Sequence, residues 1–202
     1  MTRKGLLTIL SGASGTGKGT VCRKLLEELP EMFLSISATT RKPRPNEIDG
    51  REYFFLTEEK FKADIAEEKF LEYAEVYGNF YGTPAHIIEE RRNSGVDVLL
   101  EIDVQGALKV MEKCPDSVSI FLLPPSFEEL CNRIKNRGTE SDDALKRRID
   151  SAAKEIAVGK KYQYVVVNDT VDAAVDKIKA ILAAERCKVS RNEFIFEELR
   201  GE

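Results

Sequence analysis

The segment Ser11-Gly-Ala-Ser-Gly-Thr-Gly-Lys-Gly-Thr20 constrains this chain more than any other stretch. It contains G-x-x-x-x-G-K at Gly12, Gly17 and Lys18. An apolar run over residues 6–10, predicted as a strand, precedes it, and a helical pattern over 18–29, stopped by Pro30, follows it. Such a loop lets the backbone of Gly12, Ala13, Ser14, Gly15, Thr16 and Gly17 curl until successive N–H groups face one anion. The helix that begins at Lys18, Gly19 and Thr20 then adds its positive end. Lys18 is placed to reach the β- and γ-phosphates of a nucleoside triphosphate. The plainer reading, a glycine turn without phosphate, is disfavoured by the strand–loop–helix context. Gly19 stands where Ser or Thr usually touches Mg²⁺. Either Thr20 contributes indirectly, or Mg²⁺ is held mainly by phosphates and water, which that ion tolerates well.

Short apolar runs alternate with helical stretches along the rest of the chain, the pattern of a mainly parallel sheet flanked by helices in an α/β fold. Further strands are predicted over 33–37, 96–102, 118–123 and 164–167. Thr83-Pro84 reads as an N-cap followed by a first helical proline, with Gly95 closing that helix. Ser126-Phe-Glu-Glu129 has capping-box spacing ahead of a helix to about residue 136, and long helical patterns cover 142–157 and 171–184. Two regions break the rhythm. A basic, proline-rich loop over 41–50 leads into 53–56, a helix near 57–68 and the aromatic segment 71–81, so residues 36–90 read as an inserted module. A polar turn over 136–143 joins two charged helices, and residues 129–157 read as a lid. The core is then formed by 1–35, 91–128 and 158–202.

A chain of 202 residues suits one such unit. Its 42% hydrophobic content excludes an intrinsically disordered chain. The net charge of −4 argues against general nucleic-acid affinity, which needs a positive surface. No apolar run is long enough to span a bilayer, so no membrane association is expected and a cytoplasmic location is. Cys22, Cys114, Cys131 and Cys187 are widely spaced, and with His86 as the one histidine there is no zinc set and no all-protein metal site is expected. The thiols read as small apolar or partly exposed groups and His86 as structural or solvated.

The stretches SATTRKPRPNEIDGREYFF, FLEYAEVYGNFYGTP, VLLEIDVQGA, RIKNRGTE and VVVND lie in order between the loop and Thr170. In these the chain resembles guanylate kinases strongly, over most of its length. The resemblance implies a P-loop enzyme moving a phosphoryl group from ATP to GMP, and to dGMP as well. It assigns the GMP phosphate to Arg41, Arg44, Tyr53 and Tyr81, whose guanidinium forks and phenols suit phosphate oxygens. It assigns guanine reading to Glu72 with Ser37 and Thr83. A carboxylate accepts from both the ring N–H and the amino group of guanine, and adenine presents an acceptor instead. Family members commonly have Ser at the Thr83 position, and the hydroxyl is kept. Glu101 and Asp103 fall two apart at a strand's C-terminal end, which puts both on one side of that strand. The resemblance has Asp103 orient GMP and organise Mg²⁺ through water, with Glu101, an Asp in many relatives, supporting the metal region.

The same resemblance makes Lys18, Arg41, Arg137 and Arg148 the groups that stabilise charge in transfer, with Arg133 and Asn168 near adenine. The resemblance points to Arg148 because the family's spacing places this arginine eleven residues after the one at Arg137, with Arg147 as the alternative. By themselves the residues support blander readings: a solvated basic loop for Arg41 and Arg44, an exposed strand residue at Glu72, a strand-end charge pair, and solvated helix faces for the lid arginines. Two rival functions remain open at this level. One is another nucleoside monophosphate kinase, because the Gly-Lys-Gly-Thr ending resembles adenylate kinase. The other is a non-catalytic guanylate-kinase-like binding module, disfavoured by the retained Lys18.

Overall fold

Every residue of the first strand, β1 (Leu7–Gly12), is buried, as befits the centre of a parallel sheet covered on both faces. The computed structural model describes residues 3–76, 78–135 and 142–200. β1 runs through the glycine loop into α1 (Lys18–Glu28), followed by β2 (Phe33–Leu34), β3 (Ala38–Thr39) and β4 (Phe54–Phe55). Then come α2 (Glu58–Ala66), β5 (Phe70–Val76), β6 (Asn79–Pro84), α3 (Ala85–Asn93), β7 (Val98–Glu101) and α4 (Val104–Lys113). The remaining elements are β8 (Val118–Leu123), α5 (Phe127–Lys135), α6 (Asp142–Val158), β9 (Tyr164–Val167), α7 (Val171–Arg186) and α8 (Glu193–Arg200). Among the described residues no helix is long and apolar enough to cross a membrane.

Five strands form one parallel sheet in the order β2-β7-β1-β8-β9. Successive side chains of a strand point to opposite faces, so the unbroken apolar runs feed two cores. Leu10, Leu99, Ile120 and Leu122 pack with Val21 and Leu25 of α1 and Ile178 and Leu182 of α7. Ile9, Leu100 and Phe121 pack on the other side with Ile88 of α3 and Ala107 and Val110 of α4. A second, four-stranded sheet, β4-β3-β6-β5, is mixed and built from residues 38 to 84. Its own small core holds Ala38, Phe61 and Phe70, with the two phenylalanine rings stacked at 4.5 Å. A third cluster joins α5 and α6 to the glycine loop: Leu130, Ile134 and Ala152 close over Ala13.

The structure corrects the sequence reading in several places. Pro84 ends β6 and caps α3 from extended backbone, one residue later than expected, and Thr83 makes no cap. The expected module boundary at residue 90 falls inside α3, whose Ile88 belongs to the large-sheet core. β7 stops at Glu101; Asp103 is not a strand residue but the N-cap of α4, its carboxylate accepting from the Gly106 N–H at 2.8 Å. The sequence patterning does not single out α4 or α8 at all. The expected cap at Ser126 does form, its side chain accepting from the Glu129 N–H, and Thr57 caps α2 in the same way through the Lys60 N–H.

The strand that carries Glu101 is tied to β1 at its start by Asp97. This carboxylate, 7% exposed, accepts from the Leu6 N–H at 2.7 Å and pairs with Arg186. Asp97→Ala should cost about 2–4 kcal/mol, because it leaves a buried N–H and a cation without their partner. The midpoint of urea unfolding measures it, and a loss under 1 kcal/mol contradicts this account.

Candidate functional site

Two cavities open along the C-terminal edge of the large sheet, and they share the carboxylates of Glu101 and Asp103. The first, of about 260 Å³, is walled by the loop from Gly12 through Gly19. Gly15 and Gly17 hold φ values of +89° and +87°, a left-handed backbone that favours glycine. A Cβ at Gly17 would lie 2.6 Å from Asn168 Nδ2, and one at Gly15 would lie 2.8 Å from Ile134 Cγ1. No side chain caps the start of α1, which leaves its first-turn N–H groups facing this cavity for an anion. The Lys18 ammonium donates to the Ile102 carbonyl at 3.0 Å, between Glu101 and Asp103 in the chain. Thr20, grouped with the loop in the sequence, is exposed on α1 and stands off the cavity wall.

Arg133 and Asn168 both reach the backbone of this loop. Asn168 is buried and its Nδ2 donates to the Thr16 carbonyl at 2.8 Å. Arg133 donates to Glu129 at 2.7 Å and reaches the same Thr16 carbonyl at 3.5 Å. Both residues brace the loop in its curled form. Of the three consecutive cations on α6, Lys146 and Arg147 are exposed, whereas Arg148 is half-buried with Nη2 3.5 Å from Ser14 Oγ. Arg137 lies outside the described residues.

The second cavity, of about 320 Å³, is lined by Ser37, Tyr53, Glu72, Tyr81, Asp103 and Gly106, among others. The Tyr53 and Tyr81 rings meet edge to face at 5.9 Å. Beside them the Arg41 guanidinium stands 5.4 Å from the Tyr53 ring centroid and pairs with Glu47 at 2.9 Å. Glu47 also accepts from the Arg44 N–H at 2.8 Å. In this structure neither arginine lines the cavity; Glu47 holds their loop at its rim. The sequence reading missed Glu47, although a carboxylate three residues after Arg44 in a proline-rich turn is the available signal.

Glu72 is 8% exposed, not the exposed strand residue that its sequence context alone offered. β5 and β6 pair it with Thr83, whose hydroxyl donates to Glu72 Oε1 at 2.6 Å. Thr83 is fully buried, so it stands behind the carboxylate instead of on the cavity wall. A Cβ at Gly106 would press on Glu72 Oε2 at 3.0 Å, so the glycine leaves the carboxylate its place. Burial raises the Glu72 pKa, with the Asp103 charge adding to it and the Thr83 hydrogen bond opposing it. An ionised, largely desolvated carboxylate aimed into a cavity is poised to accept from a ligand's N–H groups.

Glu101 lies over Gly19, where a Cβ would be 3.4 Å from its Oε1. The Cys22 thiol behind it has its pKa raised by burial first and by Glu101 second, so it stays protonated. Among the described residues no group of three or more His, Cys, Asp or Glu can hold a metal ion. The donor set at the loop fits Mg²⁺ in another way: two exposed oxygen ligands, Glu101 and Asp103, beside a phosphate cradle match an ion that keeps its waters.

A phosphate loop on a parallel sheet, sharing two carboxylates with a second polar cavity, defines a phosphotransferase of the P-loop class. The family model described as guanylate kinase matches residues 4–185. A guanylate kinase of Caldanaerobacter subterraneus subsp. tengcongensis is 54% identical over 99% of this chain and 97% of its own. One of Clostridium perfringens is 57% identical over 93% of this chain and 87% of its own. The crystal structure of guanylate kinase from Anaplasma phagocytophilum superposes with a TM-score of 0.75 at 38% identity, covering 95% of this chain and 91% of that one. The chain belongs to the guanylate kinase family.

Because Glu72 keeps its proton to a higher pH in the folded protein than in the unfolded chain, stability falls as pH rises from the ordinary glutamate value through the raised one. Glu72→Gln should therefore raise the melting temperature at pH 7. That gain should shrink as pH drops toward the usual glutamate range. A gain that stays constant with pH would show that ionisation of Glu72 is not its source.

Proposed function

We propose that this member of the guanylate kinase family carries out its ATP-to-GMP phosphoryl transfer across the boundary formed by Glu101 and Asp103. The observation that carries this reading is that both carboxylates line the phosphate-loop cavity and the Glu72 cavity at once. The loop from Gly12 to Gly19 takes the triphosphate of ATP and the Glu72 cavity takes GMP, so the two phosphates meet at the shared wall.

In the acceptor cavity Glu72, fixed by Thr83, accepts from the guanine N–H and amino group, with Ser37 beside it. Tyr53 and Tyr81 offer hydroxyl donors to the GMP phosphate. Arg41 and Arg44 reach that phosphate by exchanging Glu47 for it, since a dianion outcompetes one carboxylate for a guanidinium fork. Asp103, held by the Gly106 N–H, orients the nucleotide. Glu101 and Asp103 would hold Mg²⁺ through water, and the ion would supply charge neutralisation to the phosphates. Lys18 exchanges the Ile102 carbonyl for a phosphate oxygen, and Arg41, Arg137 and Arg148 stabilise charge on the group in transfer.

Little covalent work falls to the protein in this reaction; alignment and electrostatic stabilisation carry it. The GMP phosphate is already largely dianionic near neutral pH, so no general base is needed. Movement of the module built on the second sheet (38–84) and of the lid (129–157) onto the core would bring the two substrates into line and exclude the water that would otherwise hydrolyse ATP. A cytoplasmic enzyme acting on ATP, GMP and dGMP, without nucleic-acid or membrane partners, fits this picture.

Measuring ADP release with ATP, Mg²⁺ and a panel of GMP, dGMP, AMP, CMP and UMP tests the acceptor. GMP should be the best of the five, and AMP in that place would overturn the reading in favour of a different monophosphate kinase. Lys18→Ala should lower kcat by about 10²–10³-fold, the usual effect of removing one such charge-stabilising donor, with the melting temperature little changed. Glu72→Gln should raise the KM for GMP about tenfold or more, since it loses charge-assisted hydrogen bonds; an unchanged KM removes Glu72 from guanine reading.

A further inference from the structure

α6 presents two parallel stripes to the rest of the molecule. Ile149, Ala152 and Ile156, spaced i, i+3, i+7, pack into the cluster that covers Ala13. One residue earlier in each case lie Arg148, Ser151 and Glu155, with the same spacing and hence on one adjoining face. Glu155 lines the phosphate-loop cavity, and its Oε2 accepts from the Ser14 N–H at 3.1 Å. Its Oε1 accepts from the Ser151 hydroxyl at 3.3 Å, one turn back along the helix. Arg148 Nη2 stands 3.5 Å from the hydroxyl of the same Ser14.

Arg148 and Glu155 are seven residues apart, or about 10 Å along a helix axis. Two long side chains therefore converge from separate points of α6 on a single loop residue. One contact alone would leave the helix free to pivot about it. Two contacts, with the apolar stripe beside them, fix both its distance and its direction relative to the phosphates' seat. A carboxylate in a cavity built for phosphate is electrostatically unfavourable for the ligand, yet here it holds a backbone donor of the loop itself.

We propose that Glu155 is a positioning residue that fixes α6 to the phosphate loop through the Ser14 peptide, so that Arg148 is held beside the group being transferred. This rests on the reading of Arg148 given above. Glu155 makes no contact with either substrate in this account; it acts through Arg148.

The test is a double-mutant cycle on the full chain, with GMP-dependent ADP release, KM for each substrate and melting temperature measured for every variant. Glu155→Ala should lower kcat by about 10–100-fold, the scale of a displacement near 1 Å in an aligned site, with the KM for GMP within twofold. Glu155→Gln, which keeps an acceptor for the Ser14 N–H, should restore kcat to within about fivefold of the natural protein. In an Arg148→Ala background, Glu155→Ala should cost less than about threefold, because the group it positions is gone. If Glu155→Ala costs as much with Arg148 absent as with it present, Glu155 serves only the loop and the proposal fails. It fails also if Glu155→Ala leaves kcat within twofold. Should Glu155→Ala not fold, the same cycle with Glu155→Leu, which keeps the side chain's bulk but removes the acceptor for the Ser14 N–H, decides by the same criterion. An unmodified protein that does not use GMP, or an Arg148→Ala variant with full activity, would instead overturn the functional reading on which this one stands.

Discussion

The parallel pairing of β1 with β7 is the constraint on which the site depends. Its register sets Leu10 opposite Glu101, so the strand that enters the phosphate loop and the strand that ends in a carboxylate finish side by side. Asp103 follows one buried residue later as the cap of α4, and Lys18 crosses from the loop to the Ile102 carbonyl between them. Nothing in this edge requires a special residue in the sheet. It requires that β1 and the first three residues of β7 be buried and the pair held in one register, which the two apolar cores on either face enforce.

The loop itself is a curled shape held from several sides. Two left-handed glycines give it its curl, and neighbours press where their side chains would be: Asn168 at Gly17, and Ile134 at Gly15. Asn168 and Arg133 meet at the Thr16 carbonyl from the core side, and Glu155 holds the Ser14 N–H from α6. Holding the loop in its curl lets the backbone donors other than the Ser14 N–H, which Glu155 occupies, meet charge on a phosphate without reorganisation at the moment of reaction. It also means that the lid helices and the loop share one packing unit, so a shift of α6 is felt where the phosphates bind.

The acceptor side is organised differently, around polar groups that the protein has to keep from one another or pair until a ligand arrives. Glu72 is buried at a cost that shows in its raised pKa, and Thr83 and Gly106 keep it in place. Arg41 is paired with Glu47 and stacked beside Tyr53. Each arrangement leaves room for a ligand, a buried carboxylate with a single hydroxyl donor and a guanidinium on a replaceable partner, that a guanine base and a phosphate dianion would fill.

The phosphate loop was legible in the sequence because all its parts are contiguous: a strand, glycines at fixed offsets, a lysine and a helix. The alternation of buried strands and amphipathic helices likewise announced the parallel sheet, since local periodicity reports which faces are covered. The residues around the acceptor were visible in the sequence only through family resemblance. Glu72 on β5 meets Thr83 on β6 and Gly106 on α4, and no local pattern relates these three. Glu155 went unread for the same reason, as it acquires its meaning from Ser14, a partner that only folding brings near. Asp103 was misread as a strand residue because a two-residue spacing describes a strand and a strand-to-helix corner equally well, and only the end of the β1–β7 ladder distinguishes them. Composition and periodicity thus determined the layers of this protein, through local preference and burial. Tertiary structure decided which polar groups face one another, because that is fixed by strand register and packing between residues far apart in the chain.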